Sequence, residues 1–226
     1  MSTTLTLKVY AVNIRLEGMA DKKSRGRPKG RRTYHHGDLK AALVAHATEI
    51  LRKQGPDALT LRAVSRAAGV TQAAPYRHFA DRRELIAATA EAGFQRLQER
   101  MLETVGQAQG RVGLKQVAIA YVAFALENAA VYRVMFGPEV ANTDDLPGLR
   151  QTARGVLGFV AEGISQLQQA GAVGQGDPLL MAIATWSMLH GVVMLTLDGQ
   201  TSSVGKDVDS VVEEATRMMM FGMAPR

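Results

Sequence analysis

The chain has 226 residues, with 27 Lys and Arg against 21 Asp and Glu, a formal net charge of +6 and no cysteine. Without thiols, disulfides, thiolate catalysis and cysteine-based zinc sites are excluded, and an apolar content of 46% is ample for a buried core in one or two domains. The basic surplus lies largely toward the N-terminus, an asymmetry that favours nucleic acid as a partner.

Leu5, Leu7 and Val9, then Val12, Ile14 and Leu16, alternate with polar neighbours as a strand or hairpin does. The run lacks the basic start and continuous apolar core of a signal peptide, and Met19 is read as the natural start. The next run, Asp21 to Arg32, is DKKSRGRPKGRR. Its Arg25-Gly26-Arg27-Pro28 resembles the core of an AT-hook, an extended segment whose arginines lie in a narrow minor groove. The alternative is a solvated basic tail that adds phosphate contacts only. Residues 1–33 are therefore expected to form a basic extension.

Tyr34-His35-His36-Gly37-Asp38 opens the first helix, with Asp38 as cap and Leu39, Leu43, Ala47, Ile50 and Leu51 on its buried face. The adjacent histidines diverge and no carboxylate or thiol set accompanies them, so no metal is expected. Gly55-Pro56 ends this helix. Thr60 caps the next, in which Leu61, Val64 and Ala68 share a face, and Gly69 stops it. Val70 then plugs the corner. Thr71 is expected to cap a second short helix, Gln72 to Phe79, that exposes Gln72, Tyr76, Arg77 and His78 and turns Phe79 inward. Pro75 should cost that helix at most one early bond. Arg and Gln suit base edges, while Tyr and His suit phosphate oxygens. Asp81 and Glu84 form a capping box for a third helix. Arg82 and Arg83 in its first turn oppose the helix dipole, which predicts an anionic partner for them. A plain corner of two helices packed for stability has no need of Arg62, Arg77, Arg82 and Arg83 close together.

These residues, Ala67-Ala68-Gly69-Val70-Thr71 followed by Tyr76, His78 and Phe79, resemble the DNA-binding module of the TetR/AcrR family of transcriptional regulators. The resemblance covers about Asp38 to Ala90. It implies that Tyr76, His78 and Arg82 hold phosphates while Gln72 and Arg77 face bases, with Arg62 and Thr71 beside them. Ala74 and Pro75 depart from the family, whose members often carry Ser or Thr and Leu there.

Beyond Asp81 the periodicity predicts a long amphipathic helix from Arg82 toward Val105, an apolar helix from about Leu114 to Asn128, and a shorter piece over Ala129 to Phe136. Further helices follow over about Leu149 to Gln169, Leu179 to Leu197 and Val204 to Phe221. The expected class is all-α: a three-helix helix-turn-helix domain (34–90) and a helical regulatory and dimerisation domain (91–226). Leu179 to Leu197 carries no Asp, Glu, Lys or Arg, which approaches the composition of a membrane span. Asp177 and Asp198 bracket it without a basic flank and Ser187, His190 and Gly191 interrupt it, so a membrane is rejected. A helix apolar all round needs cover from its own domain and from a second subunit.

Together with Val208, Val211, Val212, Ala215, Met218 and Met219 of the last helix, it resembles the pair that forms the intersubunit four-helix bundle in this family. Trp186 to Gly191 resembles the signature of a Trp-His-Gly subgroup. The expected dimer contacts are Trp186, His190, Gly191, Val211, Ala215 and Met218. A homodimer reads two half-sites about 34–36 Å apart, hence a palindromic operator. Tyr132, Met135, Phe136, Phe159, Trp186 and Met188 are candidates for a pocket holding a small apolar effector. The resemblance thus implies a cytoplasmic, ligand-responsive repressor, on the nucleoid when bound. The alternative is an architectural or partner-recruiting DNA-binding protein without an effector. His190, Asp177 and Asp198 form no nucleophile motif or metal constellation, so neither enzyme chemistry nor a cofactor is expected.

Overall fold

A computed structural model of the chain describes residues 39–107 and 113–224. The basic extension, including Arg25 and Arg27, and the Tyr34 to Asp38 helix entry lie outside the described residues. Among the described residues every regular element is helical, as the periodicities predict.

Helix α1 (Leu39–Gln54) buries Leu43, Ala47, Ile50 and Leu51, the i, i+4, i+7, i+8 pattern of one face. Each such side chain contributes about 1.5–3 kcal/mol when fully removed from water. Gly55 closes the helix at φ 82, where its N–H donates to the Leu51 carbonyl at 3.0 Å. Helix α2 (Leu61–Ala68) begins where the Thr60 hydroxyl accepts the Ala63 N–H at 3.1 Å and ends at Gly69, in the left-handed region at φ 68.

The expected helix over Gln72–Phe79 is corrected. Residues 71–74 form a turn and only Pro75–Arg77 is helical, as a single 3-10 turn. Pro75 is the reason. Its missing N–H is the one that would bond the Thr71 carbonyl and close the first α-helical turn. The Thr71 carbonyl instead accepts the Ala74 N–H at 3.0 Å. The Thr71 hydroxyl has no cap partner among the described residues.

Helix α3 (Arg82–Gln107) is 26 residues long and starts from Asp81, whose carboxylate accepts the Glu84 N–H at 2.9 Å. Glu84 reaches back to the Ala80 N–H at 2.7 Å, one residue beyond the partner a capping box uses. The helix runs unbroken past residue 90, so the two expected domains share it.

Helix α4 (Leu114–Glu127) meets α5 (Ala129–Met135) at Asn128, where the chain bends sharply. A Cβ at Gly93 of α3 would come within 2.7 Å of the Met135 sulfur, so glycine permits this approach of α5 to α3. Helix α6 (Pro147–Gln169) packs on α3 and on α7 (Pro178–Leu197), and α7 also meets α4. The chain closes with α8 (Gln200–Ser203) and α9 (Val208–Gly222). The last helix therefore starts later than Val204: Gly205 sits at φ 70, and the Asp207 carboxylate caps α9 through the Ser210 N–H at 2.9 Å.

Candidate nucleic-acid interface and apolar cavity

The segment after Gly69 sorts its side chains by the geometry of one tight turn. Pro75 and Phe79, four residues apart, are buried, and the Pro75 carbonyl accepts the His78 and Phe79 N–H groups at 2.9 Å each. Gln72, Tyr76, Arg77 and His78 are left outside, with Tyr76 60% exposed. Arg62 and Arg66 of α2 are exposed beside them in sequence. Among the described residues none of the three arginines, nor Gln72, has a side-chain hydrogen bond or an ion pair, so their donors face water. Arg66, which the sequence reading did not single out, shares this exposure. The signal was its place in the last turn of α2, directly before the motif.

Arg82 and Arg83, for which an external anion was expected, differ from these in having partners within the chain. Arg82 donates through Nε to the Leu59 carbonyl and through Nη2 to the Pro56 carbonyl, each at 2.8 Å, with Glu139 3.6 Å from Nη1. Arg83 donates to the carbonyls of Glu139 at 3.0 Å and Asn142 at 2.9 Å, and grips Asp145 with both terminal nitrogens. That fork holds the Asp145 carboxyl below its ordinary range and pushes the guanidinium up. The start of α3 is thereby fastened to the α1–α2 connection on one side and to the loop before α6 on the other. Carbonyls and the Asp145 carboxylate thus take up much of the donor set of these two cations.

A cavity of about 250 Å³ lies in the body of helices. Its wall comes from Phe94, Leu97 and Met101 of α3, Val117, Ala118 and Tyr121 of α4, Val156, Leu157 and Val160 of α6, and Ala182, Thr185, Trp186 and Leu189 of α7. Leu114, Phe136, Ala153 and Arg154 complete it. Of the six residues expected in a pocket, Phe136 and Trp186 line it, whereas Tyr132, Met135, Phe159 and Met188 do not. Helical phase explains this. Met188 lies two residues from Trp186, on another side of α7, and is exposed; Tyr132 and Met135 are buried behind the wall.

Behind the wall runs a hydrogen-bonded file. Trp186 Nε1–H donates to the Tyr121 hydroxyl at 3.1 Å, the Tyr121 and Tyr132 hydroxyls lie 2.6 Å apart, and Tyr132 is 2.7 Å from His190 Nδ1. One direction satisfies every member: each hydroxyl accepts from its predecessor and donates to the next, ending on an unprotonated Nδ1. Burial pushes the Tyr121 phenol up to about 12, drives Tyr132 further up, and lowers His190, so neutral forms prevail. The rings pack as well, with Phe136 4.7 Å from His190 and 4.9 Å from Tyr132.

Comparison with known proteins decides what these parts belong to. Residues 43–89 match the family model described as bacterial regulatory proteins, tetR family, and residues 114–219 match the tetracyclin repressor-like C-terminal domain. The chain belongs to the TetR family. It is 33% identical to a protein of unknown function from Rhodococcus sp. RHA1, with TM-score 0.75, covering 86% of this chain and all of that one. The fold is shared with a TetR family transcription regulator from Marinobacter aquaeolei VT8 (18% identity, TM-score 0.62, 83% and 96% of the two chains). It is also shared with the fatty acid degradation regulator FadR from Bacillus halodurans (14% identity, TM-score 0.61, 82% and 96%). No curated protein matches in a sequence search. As a TetR family member the protein is a DNA-binding transcription regulator, not an enzyme.

In this TetR family chain, α7 has the length and hydropathy of a membrane span, yet it packs against α4, α6, α8 and α9 within the matched C-terminal domain. Exposed along α7 are Leu179, Leu180, Ile183, Trp186, Met188 and Leu195, and α9 adds Met218 and Phe221, the latter 81% exposed. Of the expected dimer contacts, Ala215 is buried within its own chain and His190 bonds to Tyr132. Val211 is half-buried. A Cβ at Gly191 would meet nothing within 4 Å among the described residues, so none of these demands glycine there.

Proposed function

We propose that the protein is a ligand-responsive repressor that acts as a homodimer on a near-palindromic operator. The observation that carries this reading is the contrast between unpartnered donors on Gln72 to His78 and the uncovered apolar stripe of α7 and α9. In the proposed complex, Gln72 and Arg77 meet base edges, and Arg62, Thr71, Tyr76 and His78 meet phosphates, with Arg66 joining them. Arg82 keeps Nη1 for a phosphate, while its Nε and Nη2 hold the Leu59 and Pro56 carbonyls. The extension 1–33, through Arg25 and Arg27, adds affinity that falls as salt rises. The division into extension, DNA module to residue 90 and regulatory body from 91 is kept on this reading.

Paired subunits cover the stripe with its own copy, contributed by Leu180, Ile183, Trp186, Met218 and Phe221, with Gly191 and Val211 beside them. The cavity is the effector site. Its wall includes Phe94, Leu97 and Met101 of α3, the helix that begins at the DNA module, so a ligand that prefers one tilt of α3 alters the spacing of the two readers. A differential affinity of about 1–3 kcal/mol changes operator binding about 5- to 150-fold.

Selection of bound genomic fragments by purified protein, with sedimentation of the complex, tests the reading. The expected result is a discrete two-fold motif carrying a dimer. Broad protection of AT-rich DNA without a motif, or a monomer on the DNA, overturns it.

A further inference from the structure

The cavity wall offers a polar atom that the fold leaves alone. Thr185 is 6% exposed and lines the cavity, and among the described residues its Oγ1 is the one buried side-chain nitrogen or oxygen without a hydrogen-bond partner. This is not how threonines in these helices behave. Thr89, Thr196 and Thr216 each send the hydroxyl back to the carbonyl four residues earlier, at 2.7 to 2.9 Å. The other polar groups on the wall are spoken for, since Trp186 Nε1 and the Tyr121 hydroxyl belong to the hydrogen-bonded file. Arg154 also lines the cavity but is exposed.

A hydroxyl buried without a partner is retained against a standing penalty, and a ligand atom that pairs with it removes that penalty on binding. Apart from the exposed Arg154 and the paired Tyr121 and Trp186 groups, the wall is aliphatic or aromatic, so a charged ligand beside Thr185 would shed its hydration with only that one guanidinium to replace it. Size narrows the choice further. An apolar cavity of about 150 Å³ holds benzene, so one of about 250 Å³ accommodates roughly ten heavy atoms.

We propose that the cavity takes a neutral, ring-sized apolar molecule bearing a single oxygen, such as a ketone, ester or alcohol, whose oxygen pairs with the Thr185 hydroxyl. This rests on the reading of the cavity as the effector site and adds the chemistry of the effector.

The test uses the full chain and the fluorescence of Trp186, its single tryptophan, which lies on the wall. Acetophenone, cumene and benzoate have equal numbers of heavy atoms but differ in carrying one carbonyl, no oxygen, or a charge. Acetophenone is expected to bind about five- to ten-fold more tightly than cumene, and benzoate more weakly than either. Thr185→Val removes the hydroxyl at nearly constant shape. It should bring acetophenone down to the affinity of cumene or below it, since the ketone oxygen is then buried unpaired, and leave the melting temperature unchanged or raised. Equal binding of acetophenone and cumene, or a preference that survives in Thr185→Val, overturns the assignment of Thr185 while the cavity stands as a ligand site. Tightest binding by benzoate overturns it in favour of Arg154. If no neutral probe binds, the effector reading falls with it. If acetophenone binds through Thr185 and operator affinity does not move, the assignment stands and the ligand-response reading alone is lost.

Discussion

The DNA-reading segment and the cavity use polar groups in opposite ways. Along Gln72 to His78 the side chains project from a turn held by two buried anchors, Pro75 and Phe79, and their donors have no partner among the described residues. Around the cavity the buried polar atoms are paired, through Trp186, Tyr121, Tyr132 and His190, and Thr185 stands out because it is not. An open surface tolerates unpaired donors because water serves them, so there they specify nothing until a polyanion arrives. Inside the body a single unpaired hydroxyl is costly and therefore informative.

The comparison breaks most severely if the two readers are uncoupled. Leu180→Glu with Phe221→Glu places charge on the uncovered stripe. We expect a monomer in sedimentation and operator affinity reduced by about 10³-fold or more, to the nonspecific level. A double variant that stays dimeric removes the stripe from the interface. Within the segment, Arg77→Ala should weaken operator binding by about 1–3 kcal/mol and relax base preference at one position of each half-site, whereas Tyr76→Phe should weaken all sequences alike. Competition binding against a library of single-base variants separates the two.

The interior is probed by Tyr132→Phe. Losing that hydroxyl strands His190 Nδ1 and leaves Tyr121 without its acceptor, for an expected loss of about 1–3 kcal/mol in chemical denaturation. The smallest effect concerns pH. Burial lowers the His190 pKa in the folded chain, so the unfolded chain takes up the proton first as pH falls. The stability linked to this group is complete above the ordinary value of about 6.5 and is lost as pH drops below it. Melting temperatures measured downward from neutral pH should fall more steeply in the parent chain than in His190→Gln.

What the sequence made legible was set by short-range chemistry. The Thr60 cap, the Gly69 stop, the inward Phe79 and the capping role of Asp81 each depend on partners within four residues, and composition carries that information directly. Pro75 was visible too, but its consequence depended on whether Thr71 or an earlier residue opened the turn. The fate of Arg82 and Arg83 was not legible, because their partners lie 23 to 62 residues away across two other elements. The cavity was legible only as a tendency toward aromatic and sulfur side chains. Which of them face it depends on the phase of four helices at once, and that selected Phe136 and Trp186 over Phe159 and Met188. Thr185 gave no signal, since its distinction is an absent bond.

The two adjacent arginines at the start of α3 have a geometric consequence. Pinned to a carbonyl pair on one flank and to a loop carboxylate on the other, the 26-residue helix joins the two bodies without a swivel. At about 1.5 Å per residue it is a lever of roughly 39 Å. A tilt of about 5° at one end carries the other by about 3 Å, close to the rise of one base pair. A displacement that small inside the body is enough to put a reader out of step with its half-site.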